Sequence, residues 1–473
     1  MRTLAIRILD RARHRVGTQL ALGLLAGLLV PTVALALLTT VWPAAGGTAL
    51  YFVAVAYLIT CAIMLVEANL AWRPQTARLP EAPSDGWEPE VTIVVVAYLP
   101  NEAGVVLDSL RNLCEEVDIP GQHPQVMLAY NTPQPMRLER ELQALAAEIP
   151  MLDVVRVEGS TSKAQNVMGI LPHVRGDIVA ILDTDHQLRA DAARRAIRWF
   201  DVGYDIVQGR CVVRNARRNL LTRVIAFEFE TIYGIAHVGR SLLVDTAIFG
   251  GANGWWRTDV LREIGLDHRM LTEDIDSSLR ALMAGFRIVH DRGVISTELA
   301  PTTLSAWWRQ RTRWAQGWFQ VTLRHSGAMW RTPALPRPTR LYWALMLGWR
   351  EIFPFVSLQV VSIMLSELLL GRGLHAKADP FLIATTVIAF SSGVIVGGAA
   401  WMVATRDTRY QLGRRGALLG IVLFIPYTLL RNAVAIAAIV RELVGDRRWL
   451  VTRRAVAAVP ATATTTSTSE LPA

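Results

Sequence analysis

Cysteine is scarce in this 473-residue chain: Cys61, Cys114 and Cys211 are the full set, and no two stand in a CxxC spacing. That excludes a disulfide framework, and the spacing offers no zinc site. Few thiols also suit a soluble portion kept in a reducing cytosol. Charge is thin as well, 19% of residues against 52% hydrophobic, with a mean hydropathy of +0.30. The chain is too apolar for an ordinary soluble enzyme and too charged to lie wholly in lipid. Acidic excess is absent too, since the net charge is +9 and the pI about 9.9. Basicity can mean nucleic acid, but here Arg2 to Arg15, Arg406 to Arg415 and Arg441 to Arg454 flank apolar runs. Cytoplasmic ends of membrane helices look like this, so nucleic acid is set aside as a partner.

What is present falls into blocks. Leu20 to Val41 and Leu50 to Trp72 are each long enough to cross a hydrocarbon core of ~30 Å. They exceed a signal-peptide core of ~7–15 residues, so two anchoring helices are expected over residues 1–75. Over 76–300, β-branched runs at Val91–Tyr98, Gln125–Tyr130, Asp153–Val157, Asp177–Asp183 and Tyr204–Gly209 alternate with helical stretches such as Glu102–Val117 and Asp191–Phe200. That pattern predicts a doubly wound, mainly parallel α/β sheet, whose ligands bind beyond the carboxyl ends of its strands. Residues 301–340 read as amphipathic interface helices. Apolar runs at Ile352–Gly371, Phe381–Ala404 and Ala417–Val440 then predict about three membrane helices within 341–446. Basic flanks on both sides of the last run both point to the cytoplasm. That run, interrupted by Pro426 and Arg431, is therefore broken or re-entrant, or one flank misleads. The polar end, 447–473, reads as a disordered tail.

Chemistry-bearing residues each have an ordinary explanation when taken singly. In "AILDTDHQL", Asp183 and Asp185 close a buried strand, where two carboxylates can share a hard divalent cation or one can cap a helix. A haloacid-dehalogenase phosphatase also has Asp-x-Asp after a strand, but a small hydroxyl or branched residue would stand where Gln187 does. In "MLTEDIDSSL", Thr272, Glu273 and Asp274 suit a helix start, with Thr272 as N-cap. Lys163 and Asn166 lie near another helix start, as surface charge or phosphate contact. "FGGANGWWR" pairs glycines with tryptophans, either as a turn or as a backbone approach to a sugar stacked on an aromatic.

"WWRQRTRWAQGW", Trp307 to Trp318, decides between a membrane-surface helix and a ligand wall. On a helix over Ala306–Arg324, Gln310, Arg313 and Trp314 share one face, extended by Trp307, Gly317 and Trp318. Arginine contacts phosphate, tryptophan stacks on sugar and glutamine bonds hydroxyls. A membrane anchor needs no fixed glutamine on that stripe.

Asp183-Thr-Asp185, Thr272-Glu-Asp274 and Gln310-Arg-Thr-Arg313-Trp314, in that order and flanked by membrane helices, resemble the processive family-2 glycosyltransferases (cellulose, chitin and hyaluronan synthases). The resemblance covers Val91 to Trp318. It implies a cytosolic domain of the nucleotide-diphospho-sugar transferase type in a multi-pass inner or plasma membrane protein. It places Tyr98 and Glu102 at the nucleotide, with Lys163 near it. Asp183 falls at the ribose and diphosphate, and Asp185 at a Mg²⁺ or Mn²⁺ ion. Asp274 matches the catalytic base, and Glu273, Gln310, Arg313 and Trp314 the acceptor and diphosphate wall.

The implied activity is inverting hexosyl transfer from a nucleotide-diphosphate sugar, UDP-linked, to an exported β-linked polysaccharide. A non-processive transferase with a diacylglycerol or polyprenyl phosphate acceptor is the alternative, and a catalytically dead scaffold is opposed by the intact motif set. Membrane lipid is a partner, and partner subunits are undetermined. Two features depart from the family: "LAYNTPQP" offers Asn131 where an acid usually reads the base, and Leu99-Pro100 interrupts the first motif.

Overall fold

In the computed structural model of the chain, residues 18, 21, 23–73, 79–81, 87–371 and 379–446 are described. The basic start at Arg2 to Arg15 and the tail 447–473 lie outside the described residues. A π-helical turn Leu25–Leu29 leads into α1 (Val30–Val41), followed by α2 (Ala45–Ala71). The α/β domain then runs β1 (Val91–Tyr98), α3 (Val106–Arg111), β2 (Gln125–Asn131), α4 (Arg137–Glu148), β3 (Leu152–Arg156), α5 (Lys163–Ile170), β4 (Ile178–Asp183), β5 (Gln187–Leu188) and α6 (Ala192–Asp201). It continues with β6 (Ile206–Val213), α7 (Leu220–Thr231), α8 (His237–Val244), β7 (Gly254–Arg257), α9 (Thr258–Ile264), α10 (Glu273–Ala284) and β8 (Ile288–Glu298). Four long helices close the described chain: α11 (Leu304–Arg331), α12 (Arg337–Leu369), α13 (Pro380–Val403) and α14 (Arg406–Leu443).

Among the described residues, one sheet carries all eight strands in the order β3-β2-β1-β4-β7-β6-β8-β5. Its first half is the doubly wound parallel arrangement that the β-branched runs imply, with β1 between β2 and β4. The second half is mixed: β7 is antiparallel to both β4 and β6, β5 is antiparallel to β8, and β6 and β8 are parallel. Short β7 comes straight out of the glycine loop and fills the gap between β4 and β6. Its two tryptophans are fully buried, Trp256 in the core on one face of the sheet and Trp255 in the core on the other. They are core residues, which corrects the reading of this segment as an aromatic sugar platform.

The expected helix Glu102–Val117 is also corrected. Leu99–Glu102 forms one turn with Pro100 at its start, then come α3 and a π-turn, Asn112–Glu116. Proline favours a first helical turn, so the insertion becomes a separate short element.

α2, α12 and α13 are each long and apolar enough to cross a membrane, and α14 is two limbs, Arg406–Phe424 and Pro426–Leu443, bent by 51°. The bend falls at Pro426, which lacks the amide a straight helix needs. The first expected span begins at Leu20, outside the described residues; within it Leu25–Val41 is a shorter apolar helix. Phe52, Leu369 and Phe390 are among many large apolar side chains left exposed on these helices. In lipid that exposure carries no penalty.

Buried ionic contacts join the long helices to the α/β domain. Tyr342 donates to Glu67 at 2.6 Å, and Arg240 donates to the Tyr342 hydroxyl at 3.0 Å. Glu67 is thus paired across α2, α8 and α12. On the other side Glu228 of α7 accepts from Arg311 at 2.6 Å and Tyr427 at 2.7 Å, with Arg431 at 3.1 Å. Buried charges need such partners to be tolerated.

Candidate active site

Strand register sets the floor of the site. Tyr98 ends β1 opposite Asn131 at the end of β2, and Asp183 ends β4 opposite Val96. The carboxyl ends of three parallel strands therefore open on one cavity of 610 Å³, where Tyr98, Glu102, Lys163, Asp183 and Asp185 meet Glu273, Asp274, Gln310, Arg313 and Trp314. Every residue to which the family resemblance gives a role lines this cavity. Glu102 also has local work: it accepts from the Tyr98 amide at 2.8 Å and the Thr184 hydroxyl at 3.0 Å, tying β1 to the Asp-Thr-Asp turn. Asn131 is fixed rather than free to read a base, since its Oδ1 accepts from Asn166 at 2.9 Å.

α5 begins at Lys163 because Ser162 caps it, accepting from the Gln165 amide at 3.2 Å. Lys163 donates to the Asp183 carboxylate and the Gly251 carbonyl. Burial works to lower its ammonium, but Asp183, Glu273 and Asp274 outweigh it and hold it above the usual lysine value.

Glu273 and Asp274 open α10. Thr272 occupies the N-cap position, yet its hydroxyl makes no capping bond and is buried without a hydrogen-bond partner, against the expectation. Burial pushes Glu273 up to about 7, with Asp274 adding to the rise and Lys163 and Arg313 opposing it. Burial also raises Asp274, against the Ile275 amide, which donates at 2.9 Å, and against Lys163 and Arg313. The glycine loop shapes this corner. Gly251 has φ of +92°, and a Cβ there would lie 2.7 Å from Asp274 Oδ2. Glycine alone avoids both the strain and the clash.

α11, capped by Thr303, splits the Trp-rich stretch. Gln310, Arg313 and Trp314 line the cavity. Gln310 Oε1 is buried there without a hydrogen bond from the chain, which suits a ligand hydroxyl. The extension of this face to Trp307, Gly317 and Trp318 is corrected. Trp307 is fully buried and donates to Tyr427 at 2.9 Å, while Gly317 lets α11 approach Thr272. Trp318 packs under the Arg350 guanidinium, 4.3 Å from its ring.

Asp183, Asp185 and His186 each offer a donor atom, all within 4.8 Å of one another. Asp185 Oδ2 accepts from the Leu299 amide at 3.0 Å, which fixes the carboxylate beside the cavity. A mostly oxygen set of this kind fits Mg²⁺ or Mn²⁺. His186, Cys211, Glu298 and Arg218 also line the cavity and escaped the sequence reading. His186 directly follows Asp185, a signal that was there to use; the others arrive through pairings far apart in sequence.

Comparison with known proteins finds glycosyltransferases. Residues 178–404 match a protein family described as Glycosyl transferase family group 2. The matched segment runs from β4 to the end of α13 and is similar to that family's domain. The chain is 32% identical over 152 residues to the Probable glycosyltransferase YdaM of Bacillus subtilis (strain 168), covering 32% of this chain and 36% of that one. It is 29% identical over 163 residues to the Poly-beta-1,6-N-acetyl-D-glucosamine synthase of Staphylococcus aureus (strain COL), covering 34% and 39%. Well under half the length of these curated relatives is therefore matched. Among solved structures, the mannosyltransferase PcManGT from Pyrobaculum calidifontis, in complex with GDP-Man and Mn²⁺, shares the fold. The TM-score is 0.54 at 21% identity, over 83% of this chain and 99% of that one.

Proposed function

We propose that the chain is a multi-pass membrane hexosyltransferase that moves a sugar, with inversion, from a UDP-linked donor to the end of a growing β-linked polysaccharide. In this reading it also passes the polymer through its own membrane helices, with the α/β domain on the cytoplasmic side. One observation carries the reading: a single cavity at the strand ends gathers the Asp183–Asp185 pair, the buried Glu273–Asp274 pair and the Gln310, Arg313 and Trp314 wall. A phosphatase or a membrane scaffold needs no such three-part convergence.

The chemistry follows from where the charges stand. Tyr98, Glu102 and Lys163 face the nucleotide end of the donor, and Asp183 its ribose and diphosphate. A Mg²⁺ or Mn²⁺ ion, held by Asp185 with Asp183 and His186 close by, would supply positive charge to the leaving diphosphate. Arg313 gives the diphosphate a second, fixed positive contact. Asp274 removes the proton of the acceptor hydroxyl as its oxygen bonds to the anomeric carbon and the bond to the diphosphate breaks. General-base help of this kind contributes about 10²–10⁴-fold. Raised by burial, Asp274 is a stronger base than an ordinary carboxylate. Trp314 holds the terminal sugar by its ring face and Gln310 bonds a hydroxyl, so the chain end is retained between additions. One displacement turns an α-linked donor into a β-linkage.

The test uses purified protein in detergent with Mn²⁺ and a panel of radiolabelled UDP- and GDP-sugars, with products split into organic-soluble and high-molecular-weight fractions. Label in a long, glycosidase-sensitive polymer supports the synthase. Label confined to the organic phase would replace it with a lipid glycosyltransferase, and no transfer from any donor would remove the enzyme reading.

A further inference from the structure

Behind the Asp183–Asp185 turn, His186 belongs to a second set of side chains, of which Cys211 and Glu298 have no part in sugar transfer. His186, Cys211 and Glu298 each bring a donor atom within 4.8 Å of the other two. They come from the turn after β4, from β6 and from the end of β8. Pairing of β6 with β8 sets Cys211 opposite Ser296, two residues from Glu298. His186 and Cys211 are each 2% exposed, and the Glu298 side chain 15%. All three border the cavity, which gives an ion a way in.

Close contacts tie the cluster together. His186 Nδ1 lies 2.9 Å from Ser296 Oγ, and its Nε2 lies 3.3 Å from Glu298 Oε2. Ser296 Oγ also lies 3.9 Å from Cys211 Sγ, so one hydroxyl neighbours both the imidazole and the sulfur. A cation there meets imidazole nitrogen, sulfur and carboxylate oxygen together, with the imidazole oriented by a hydrogen-bonded neighbour. Such a mixed set suits zinc, whereas Mg²⁺ prefers oxygen alone.

We propose that His186, Cys211 and Glu298 form a binding site for a thiolate-seeking divalent cation, zinc in particular, separate from the hard-cation carboxylates but sharing His186 with them. Zinc bound there inhibits sugar transfer, because His186 is also within 4.8 Å of the Asp183 and Asp185 donors. The site itself stands on donor geometry; its inhibitory effect rests on the transferase reading. The cysteine spacing that argues against a zinc site concerns ligands near in sequence, and these are brought together by the sheet.

Cobalt(II) tests the site without turnover. Full-length protein in detergent, with Mg²⁺ in excess, is titrated with Co²⁺ and watched for the near-ultraviolet thiolate-to-cobalt charge-transfer band. The band saturates at one cobalt per chain, is bleached by Zn²⁺ and disappears in Cys211→Ala, while Cys61→Ala and Cys114→Ala keep it. Ser296→Ala, which removes only the orienting neighbour, weakens cobalt binding by about tenfold or more. Asp274→Asn keeps the band, so loss of transfer and loss of the site are read apart. Absence of the band, or an equal band in Cys211→Ala, overturns the site. A normal band with transfer unaffected by zinc overturns the inhibition.

Discussion

One face of α11 carries Gln310 and Arg313, with Trp314 at its edge, into the cavity, while the other sets Trp307 and Arg311 against α7 and α14. Both faces are written in arginine and tryptophan, yet they do different work. Arg311 is buried, paired with Glu228 and stacked 4.2 Å from the Trp314 ring, so it braces the wall from behind. Arg313 faces the cavity with its charge on Glu273 and Asp274. The contrast teaches that residue type fixes what a side chain can bind, and packing decides whether it binds protein or ligand.

Three experiments sharpen or break that contrast. The largest effect belongs to the packed face. Glu228→Ala leaves Arg311 buried without its carboxylate, and breaking such a pair costs about 3–5 kcal/mol of stability. Thermal unfolding in detergent reads this as a lower midpoint; an unchanged midpoint would mean the packed face bears no structural load. On the cavity face, Arg313→Lys loses a charge-assisted contact of about 1.5–3 kcal/mol. That lowers kcat/KM by roughly ten- to a hundredfold at an unchanged midpoint. A matching fall in stability would erase the distinction between the two faces.

The smallest effect is a shift in pH. Glu273, at about 7, and Asp274 both hold their protons more tightly than ordinary carboxylates. Ionised base is therefore lost, and kcat falls, at a pH above the usual carboxylate value of about 4. Glu273→Gln removes a neighbouring negative charge, so the acid limb moves to lower pH. A wild-type limb near the ordinary carboxylate value would contradict the burial argument. The macroscopic value belongs to the pair.

Legibility in the sequence followed the kind of signal each element carried. β1, β2 and β4 were evident because parallel strands buried on both faces read as unbroken β-branched runs, and β3 and β6 carry shorter runs of the same kind. β8 was not, because His290, Asp291 and Arg292 interrupt its apolar pattern. β7 was hidden because four residues after a glycine loop look like a turn. Of the site, the motifs at 183–185, 272–274 and 310–314 were visible since each is compact. Cys211 and Glu298 were not, because only the β6–β8 pairing makes them neighbours. Trp307 was misplaced for a different reason: it shares a stripe with Trp314, and periodicity gives the angle about a helix, not which stretch of it meets the cavity.

The central claim is that Asp274 is the base of a sugar-transfer site, and Asp274→Asn tests it when donor binding and transfer are measured on the same preparation. The substitution keeps size and removes the charge. The account predicts donor affinity close to wild type with product formation reduced by about 10²-fold or more. Unchanged product yield with intact donor binding would contradict it and remove Asp274 from the mechanism.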